Sequence, residues 1–291
     1  MNGLFQSRDG TPIYYEVHGE GPPLLLCYGL LCRRDHWKHQ IPFFAKHYQL
    51  VLFDYRGHQK SGLPKNDQHL TLEWCARDIQ DLLRFLDLPQ VACLGHSMGV
   101  PVLSHLALME PDRIKSNVFI CGSVNNPFQQ MLFTDRLDAV FEASSKIYDA
   151  APAAGDIIWK KFTANQAFSH FVAAQLGFNP DIARPEDVAG YLEGVRQTPP
   201  AVFYRLMRDY RRVDRRPLLQ QSQIPTLVIA GDEDCITPMP VQENIADLLP
   251  RGELERIHGG SHNAHMDFPD LVNERIEAFL KKVGYGCTDQ S

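Results

Sequence analysis

Residues 91–107, VACLGHSMGVPVLSHLA, constrain this chain more than any other stretch. They begin as an apolar run headed by a β-branched residue, break at Gly95-His96-Ser97-Met98-Gly99, and resume with apolar residues at helical spacing to about Met109. A buried strand that turns directly into a helix belongs in a parallel sheet, because parallel neighbours need a long crossover connection. The same rhythm runs upstream. PPLLLCYG (22–29) and QLVLFDYRG (49–57) read as buried strands ended by glycine. A helix follows, with Leu72, Cys75, Ile79, Leu82, Leu83 and Leu86 on one face and Thr71 as its N-cap. HWKHQIPFFAKHY (36–48) reads as a short helical connector. LFQS and IYYEVHG flank Asp9-Gly10 and predict a hairpin.

After the strand SNVFICGS (116–123) the alternation stops. Residues 125–222 carry no strong strand pattern and predict helices over 133–148, 155–177, 184–197 and 200–213. The alternation returns with a strand over 224–234, a helix over 240–249, a strand over 253–260 and a helix over 269–283, and the tail beyond reads as loose. The prediction is an α/β fold: a mostly parallel central sheet covered by helices on both faces, with an all-helical segment inserted after the sixth strand. Residues 1–124 and 223–291 form the core and 125–222 the insertion.

Composition excludes several classes. With 35 acidic against 29 basic side chains, a net charge of -6 supplies no field for nucleic acid or an anionic membrane. The basic pairs Arg211-Arg212 and Arg215-Arg216, broken up by Asp209 and Asp214, read as a solvated helix end. Seven scattered cysteines, several within apolar runs, suit a reducing compartment, and no zinc-type C-x-x-C pair occurs. The first residues lack the pattern of a signal peptide, and no apolar run approaches the roughly 20 residues that span a bilayer. A soluble cytoplasmic protein of unknown oligomeric state is expected.

The serine between two glycines is the chemical clue. A hydroxyl becomes a useful nucleophile when a base removes its proton and donors stabilise the oxyanion. A sharp strand-to-helix turn lifts Ser97 clear of the sheet, and such a turn demands small flanking residues, here Gly95 and Gly99. Pro101 suits the first helical turn. The acid and the base should follow at the ends of later strands. GDEDCITP (231–238) offers Asp232 and Asp234. Asp232 is placed to hold the turn, which favours Asp234 as the acid. RIHGGSHNAHMDFPD (256–270) offers His258, His262 and His265. His258 falls within the strand pattern and reads as structural, His262 is the expected base, and His265 is the runner-up. A metal site of His262, His265 and Asp267 matches no complete ligand spacing, and no metal or cofactor is expected.

In these features the chain resembles the α/β-hydrolase family over nearly its whole length. The 95–99 segment resembles the family's nucleophile elbow, GDEDCITP its acid loop and GGSHNAHMDFPD its histidine loop, with Pro269 favouring His262 over His265. Asp54, Arg56, Gly57, His58 and Ser61 match a fold-supporting segment, and the helical insertion resembles the family's lid. The chain departs at Tyr28, where relatives carry histidine, and at Gln59 and Val100, where glycine is common. The resemblance implies an oxyanion hole from the backbone N–H groups of Leu30 and Met98. Relatives that open epoxides or remove halide use an aspartate at the elbow; here it is serine.

The expected reaction is hydrolysis of a small to medium acyl or aromatic carboxylic ester, a lactone included, by Ser97, His262 and Asp234. Tyr28, His96, Phe128, Phe133 and Phe162 are candidate contacts to an apolar small-molecule substrate. Carbon–carbon bond hydrolysis or perhydrolysis on the same triad, acyl transfer, and a non-catalytic receptor on the same scaffold are the alternatives.

Overall fold

A computed structural model describes residues 1–134 and 136–286. Eight strands form one sheet: β1 (Asn2–Gln6), β2 (Pro12–His18), β3 (Pro23–Cys27), β4 (Gln49–Phe53), β5 (Val91–His96), β6 (Ile114–Ile120), β7 (Thr226–Gly231) and β8 (Gly252–Ile257). Their spatial order is β1-β2-β4-β3-β5-β6-β7-β8. The hairpin β1–β2 and the β2–β4 pair are antiparallel, and every later pair is parallel. Every residue of β5 and β7 is buried, so both faces of the central sheet are covered, and this accounts for their unbroken apolar runs.

The helices are α1 (Ile41–Phe44), α2 (Leu72–Phe85), α3 (Gly99–Met109), α4 (Leu137–Ala150), α5 (Pro152–Ala164), α6 (Gln166–Gly177), α7 (Pro185–Gln197), α8 (Pro200–Arg212), α9 (Arg216–Gln221), α10 (Met239–Leu248), α11 (Ala264–Asp267) and α12 (Pro269–Lys282). The Thr71 hydroxyl caps α2 by accepting from the Trp74 amide at 3.2 Å. Helix α3 packs on β3, β5 and β6, and α10 on β7 and β8. Helices α4–α9 all lie between β6 and β7 in the chain. Among the described residues no helix is long and apolar enough to cross a membrane, and the six described cysteines form no disulfide.

The short helical connector expected over 36–48 is a 3-10 turn at Arg34–Trp37 followed by the single turn of α1. Three local expectations are corrected. The helix expected over 155–177 is two helices, because Asn165 leaves the helical region (φ -78°, ψ 85°); asparagine competes for backbone hydrogen bonds and so favours helix ends. His258 lies just past β8, exposed, with Nδ1 2.9 Å from Asp232. Arg215 is not at a solvated helix end: it is fully buried, donating to Asp209 at 2.7 Å and to His105 at 2.8 Å. Gln59, where relatives favour glycine, adopts the left-handed conformation (φ 46°). Of the C-terminal tail, Cys287 to Ser291 lie outside the described residues.

The post-β4 segment anchors the sheet to α2. Arg56 and Asp78 are both buried, and the guanidinium meets the carboxylate through two bonds of 2.7 and 2.5 Å while also donating to Asp9 and the His69 carbonyl. Removing one partner of such a pair strands the other charge in the interior. Arg56→Met should therefore lower unfolding free energy by about 3–5 kcal/mol, read from urea denaturation; a loss below about 1 kcal/mol would mean that Asp78 is not held by Arg56.

Candidate active site

Ser97 stands at the junction of β5 and α3 with a left-handed backbone (φ 53°), a conformation that costs a non-glycine residue about 1–3 kcal/mol. The surroundings impose it. The Ser97 amide donates to the Ile120 carbonyl at 3.0 Å, fixing the turn to β6. A Cβ on Gly99 would lie 2.4 Å from the Cys27 carbonyl oxygen, and one on Gly95 would lie 2.8 Å from Leu103 Cδ1. Glycine at 99 lets the start of α3 rest against β3, and glycine at 95 lets β5 approach α3.

The other two polar groups arrive from the ends of β7 and β8. His262 Nε2 is 3.0 Å from Ser97 Oγ, and His262 Nδ1 is 3.0 Å from Asp234 Oδ2. Asp234 is buried and accepts from the amides of Ile236 and Thr237, both at 2.8 Å, and from the Thr237 hydroxyl at 2.7 Å. Burial pushes its carboxyl upward, but the adjacent His262 and the Thr237 donors outweigh burial and hold it below the usual carboxylate range. The histidine loop is braced as well: Asp267 accepts from the Ser261 amide and hydroxyl, Asn263 Nδ2 donates to the Gly177 carbonyl at 2.6 Å, and His96 Nε2 donates to the His262 carbonyl at 2.9 Å. Asp232 instead accepts from the Gly259 amide at 2.7 Å and ties the turn. His265 is buried beside His36, Trp37 and His96, with both ring nitrogens lacking a hydrogen-bond partner among the described residues.

The Leu30 and Met98 amides follow β3 and Ser97 respectively, and among the described residues neither donates to any acceptor. Ser97 and His262 open onto a cavity of about 280 Å³. Its walls come from the Leu30–Cys32 loop, from Trp159 and Phe162 on α5, Tyr191 on α7, and Phe203 and Met207 on α8. His96 and Phe162 line it; Tyr28, Phe128 and Phe133 do not. Tyr28 is buried in the core, its hydroxyl donating to Asp54 and accepting from the Tyr55 amide. Phe128 stacks on Phe141 with centroids 4.9 Å apart, and Phe133 points to solvent. Of the wall residues, Trp159 and Phe203 belong to the aromatic set of the helical insertion, part of which is expected to line the cleft, whereas sequence reasoning does not single out Tyr191 and Met207, nor Thr237 as a brace. Thr237 has a readable signal, three residues past Asp234 in a turn. Tyr191 and Met207 have none beyond an apolar helical face.

A match to the family model described as "alpha/beta hydrolase fold" spans residues 22–269. The chain belongs to that family. It is similar to a non-heme chloroperoxidase of Streptomyces lividans, 26% identical over 290 residues and covering 96% of this chain and 99% of that one. It is also 26% identical over 284 residues to epoxide hydrolase 4 of Mus musculus, covering 94% of this chain and 77% of the relative. Among solved structures, an esterase from Exiguobacterium antarcticum superposes with a TM-score of 0.78 at 20% identity, covering 97% of this chain and 100% of the other.

The contact of Gly99 with β3 generates a test. Gly99→Ala forces its Cβ against the Cys27 carbonyl, and overpacking of this kind costs about 1–3 kcal/mol. Urea denaturation should show that loss; an unchanged midpoint would mean that the turn does not depend on this close approach.

Proposed function

We propose that the protein is a serine hydrolase that cleaves a small to medium acyl or aromatic carboxylic ester, a lactone included, through an acyl-enzyme. The observation that carries this reading is the relay from Asp234 through His262 to Ser97, each link 3.0 Å, opening on an apolar cavity. Ser97 Oγ attacks the carbonyl carbon as its proton passes to neutral His262 Nε2. Asp234 holds the imidazole tautomer and stabilises the imidazolium. The Leu30 and Met98 amides, without another acceptor among the described residues, receive the oxyanion, and one such donor is worth about 3 kcal/mol of barrier. Collapse of the tetrahedral intermediate expels the alcohol, which takes the proton from His262. Water then attacks the acyl-Ser97 carbonyl and gives a proton to His262, which passes it to Ser97 Oγ as the acid leaves, restoring the free enzyme.

In this reading residues 125–222 act as the lid over the 1–124 and 223–291 core, because α5–α8 supply the apolar wall that the acyl group meets. The reading further makes the protein a soluble one of a reducing cytoplasm, consistent with thiols at Cys27, Cys93 and Cys121 buried in or beside the sheet. A second reading, perhydrolysis, has hydrogen peroxide replace water in the second step and release a peracid. Its support is the relative named as a non-heme chloroperoxidase.

With p-nitrophenyl esters of graded acyl length, Ser97→Ala should lower kcat by at least about 10³-fold, and adding His262→Ala should cost little more. A variant retaining a tenth of the activity would move the nucleophile elsewhere. A fluorophosphonate should label Ser97 in the wild type and in His265→Gln but not in His262→Gln, as read by peptide mass; the reverse pattern would make His265 the base.

The pH dependence has a fixed sign. Only neutral His262 accepts the serine proton, and Asp234, held below its usual range, stays ionised. kcat/KM should therefore be lower in acid than at neutral pH, because proton abstraction from Ser97 needs an unprotonated base. A flat acid limb in a chemistry-limited assay would contradict a histidine base.

A further inference from the structure

Beside Ser97 lies a second cluster that the hydrolytic relay does not use. Cys32, His36 and His96 are all buried, and one ligand atom from each lies within 4.8 Å of the other two. Cys32 Sγ is 4.0 Å from His36 Nε2. His96 Nε2 is committed to the His262 carbonyl, so its proton is there and the lone pair is on Nδ1. That Nδ1 is buried and has no hydrogen-bond partner among the described residues. It lies 3.1 Å, and Cys32 Sγ 3.4 Å, from the point where a Gly29 side chain would begin, so both converge on one niche.

We propose that Cys32, His36 and His96 bind a soft divalent cation, zinc above all, in the wall of the Ser97 cavity, and that its occupation arrests the chemistry at Ser97. One thiolate and two imidazoles form a borderline-soft set that suits zinc and offers nothing to magnesium or calcium, which need oxygen ligands. Zinc bond lengths of about 2.0–2.3 Å set ligand–ligand edges of about 3.5 Å in a tetrahedral shell. The widest ligand–ligand separation therefore closes by about 1.3 Å at most and Cys32–His36 by about 0.5 Å, shared between the two side chains of each pair. A ligating imidazole ordinarily donates its other N–H to a carbonyl, as His96 does to His262. Cys32 and His96 both line the cavity, so the fourth position opens toward it. Binding releases the Cys32 thiol proton to solvent as the thiolate forms.

Occupation acts on the relay through the chain itself. Cys32 closes a turn with the Gly29 carbonyl around the Leu30 amide, and His96 both precedes Ser97 and holds the His262 carbonyl. Drawing Cys32 and His96 together shifts the oxyanion donor and the imidazole at once. This second half rests on the proposed hydrolysis; the binding half does not.

Two arms of one experiment separate the halves. Purified full-length protein is titrated with cobalt(II), whose thiolate charge-transfer and tetrahedral d–d absorption report the ligand set directly. One equivalent should develop both bands, and zinc should bleach them. Cys32→Ser should lose the charge-transfer band, His36→Gln should weaken cobalt binding at least about tenfold, and Cys235→Ser should leave the spectrum intact. Circular dichroism checks folding, and His36→Gln decides the matter should Cys32→Ser not fold. No band in the wild type at millimolar cobalt, or a band that survives Cys32→Ser, overturns the site. In the second arm zinc should inhibit p-nitrophenyl acetate hydrolysis by the wild type, with the half-inhibiting concentration raised at least about tenfold in His36→Gln. Bound zinc that leaves hydrolysis unaltered overturns the arrest, and a wild type that hydrolyses no ester refutes the proposed function while the cobalt result stands.

Discussion

The start of α3 rests against the Cys27 carbonyl of β3, and much of the candidate site follows from that contact. No side chain fits between them at Gly99, so the chain must leave β5 and enter the helix within a few residues. Ser97 takes up the bend in a left-handed conformation that is unfavourable for a residue with a Cβ. Its amide is spent on Ile120 and its hydroxyl is left standing above the sheet. Because β3 and β5 are neighbours, the loop after β3 runs past this bend, and two backbone amides, those of Leu30 and Met98, end beside the serine without acceptors among the described residues.

The remaining groups come from β7 and β8, more than a hundred residues downstream of the bend. Asp234 could not stay ionised in the interior alone. Two amides, a hydroxyl and the His262 imidazole compensate the lost hydration. The histidine is in turn held from three sides, through Ser261–Asp267, Asn263–Gly177 and its own carbonyl on His96. This polar seam faces a mostly apolar cavity whose walls include helices that lie between β6 and β7, and the Asp234 end of the relay is buried, where electrostatic interactions are stronger than in water.

Legibility in the sequence follows how local the determinants are. The 91–107 stretch reveals its strand, its bend and its helix because small residues, β-branched residues and helical periodicity are written in consecutive positions. Asp234 is readable because it follows a buried strand and a glycine, and His262 because it follows a strand pattern closed by a Gly-Gly-Ser loop, although that strand, β8, is largely exposed. Tyr28, Phe128 and Phe133 could not be read: an aromatic side chain near the site in sequence can turn into the core, onto another helix or into solvent, and tertiary packing decides which. The burial of Arg215 depends likewise on a partner far along the chain, His105. Cys32 and His36 share a four-residue spacing, but His96 joins them only through the adjacency of β3 and β5.

The central claim is that Ser97 becomes covalently acylated during turnover. Rapid acid quenching of the protein with p-nitrophenyl acetate, followed by peptide mass spectrometry, tests it most directly. The account predicts an acetyl group on the peptide that contains Ser97, formed in a burst and lost on chasing with water. Steady hydrolysis with no acylated Ser97 at any quench time, or with the acetyl group on another residue, would contradict it.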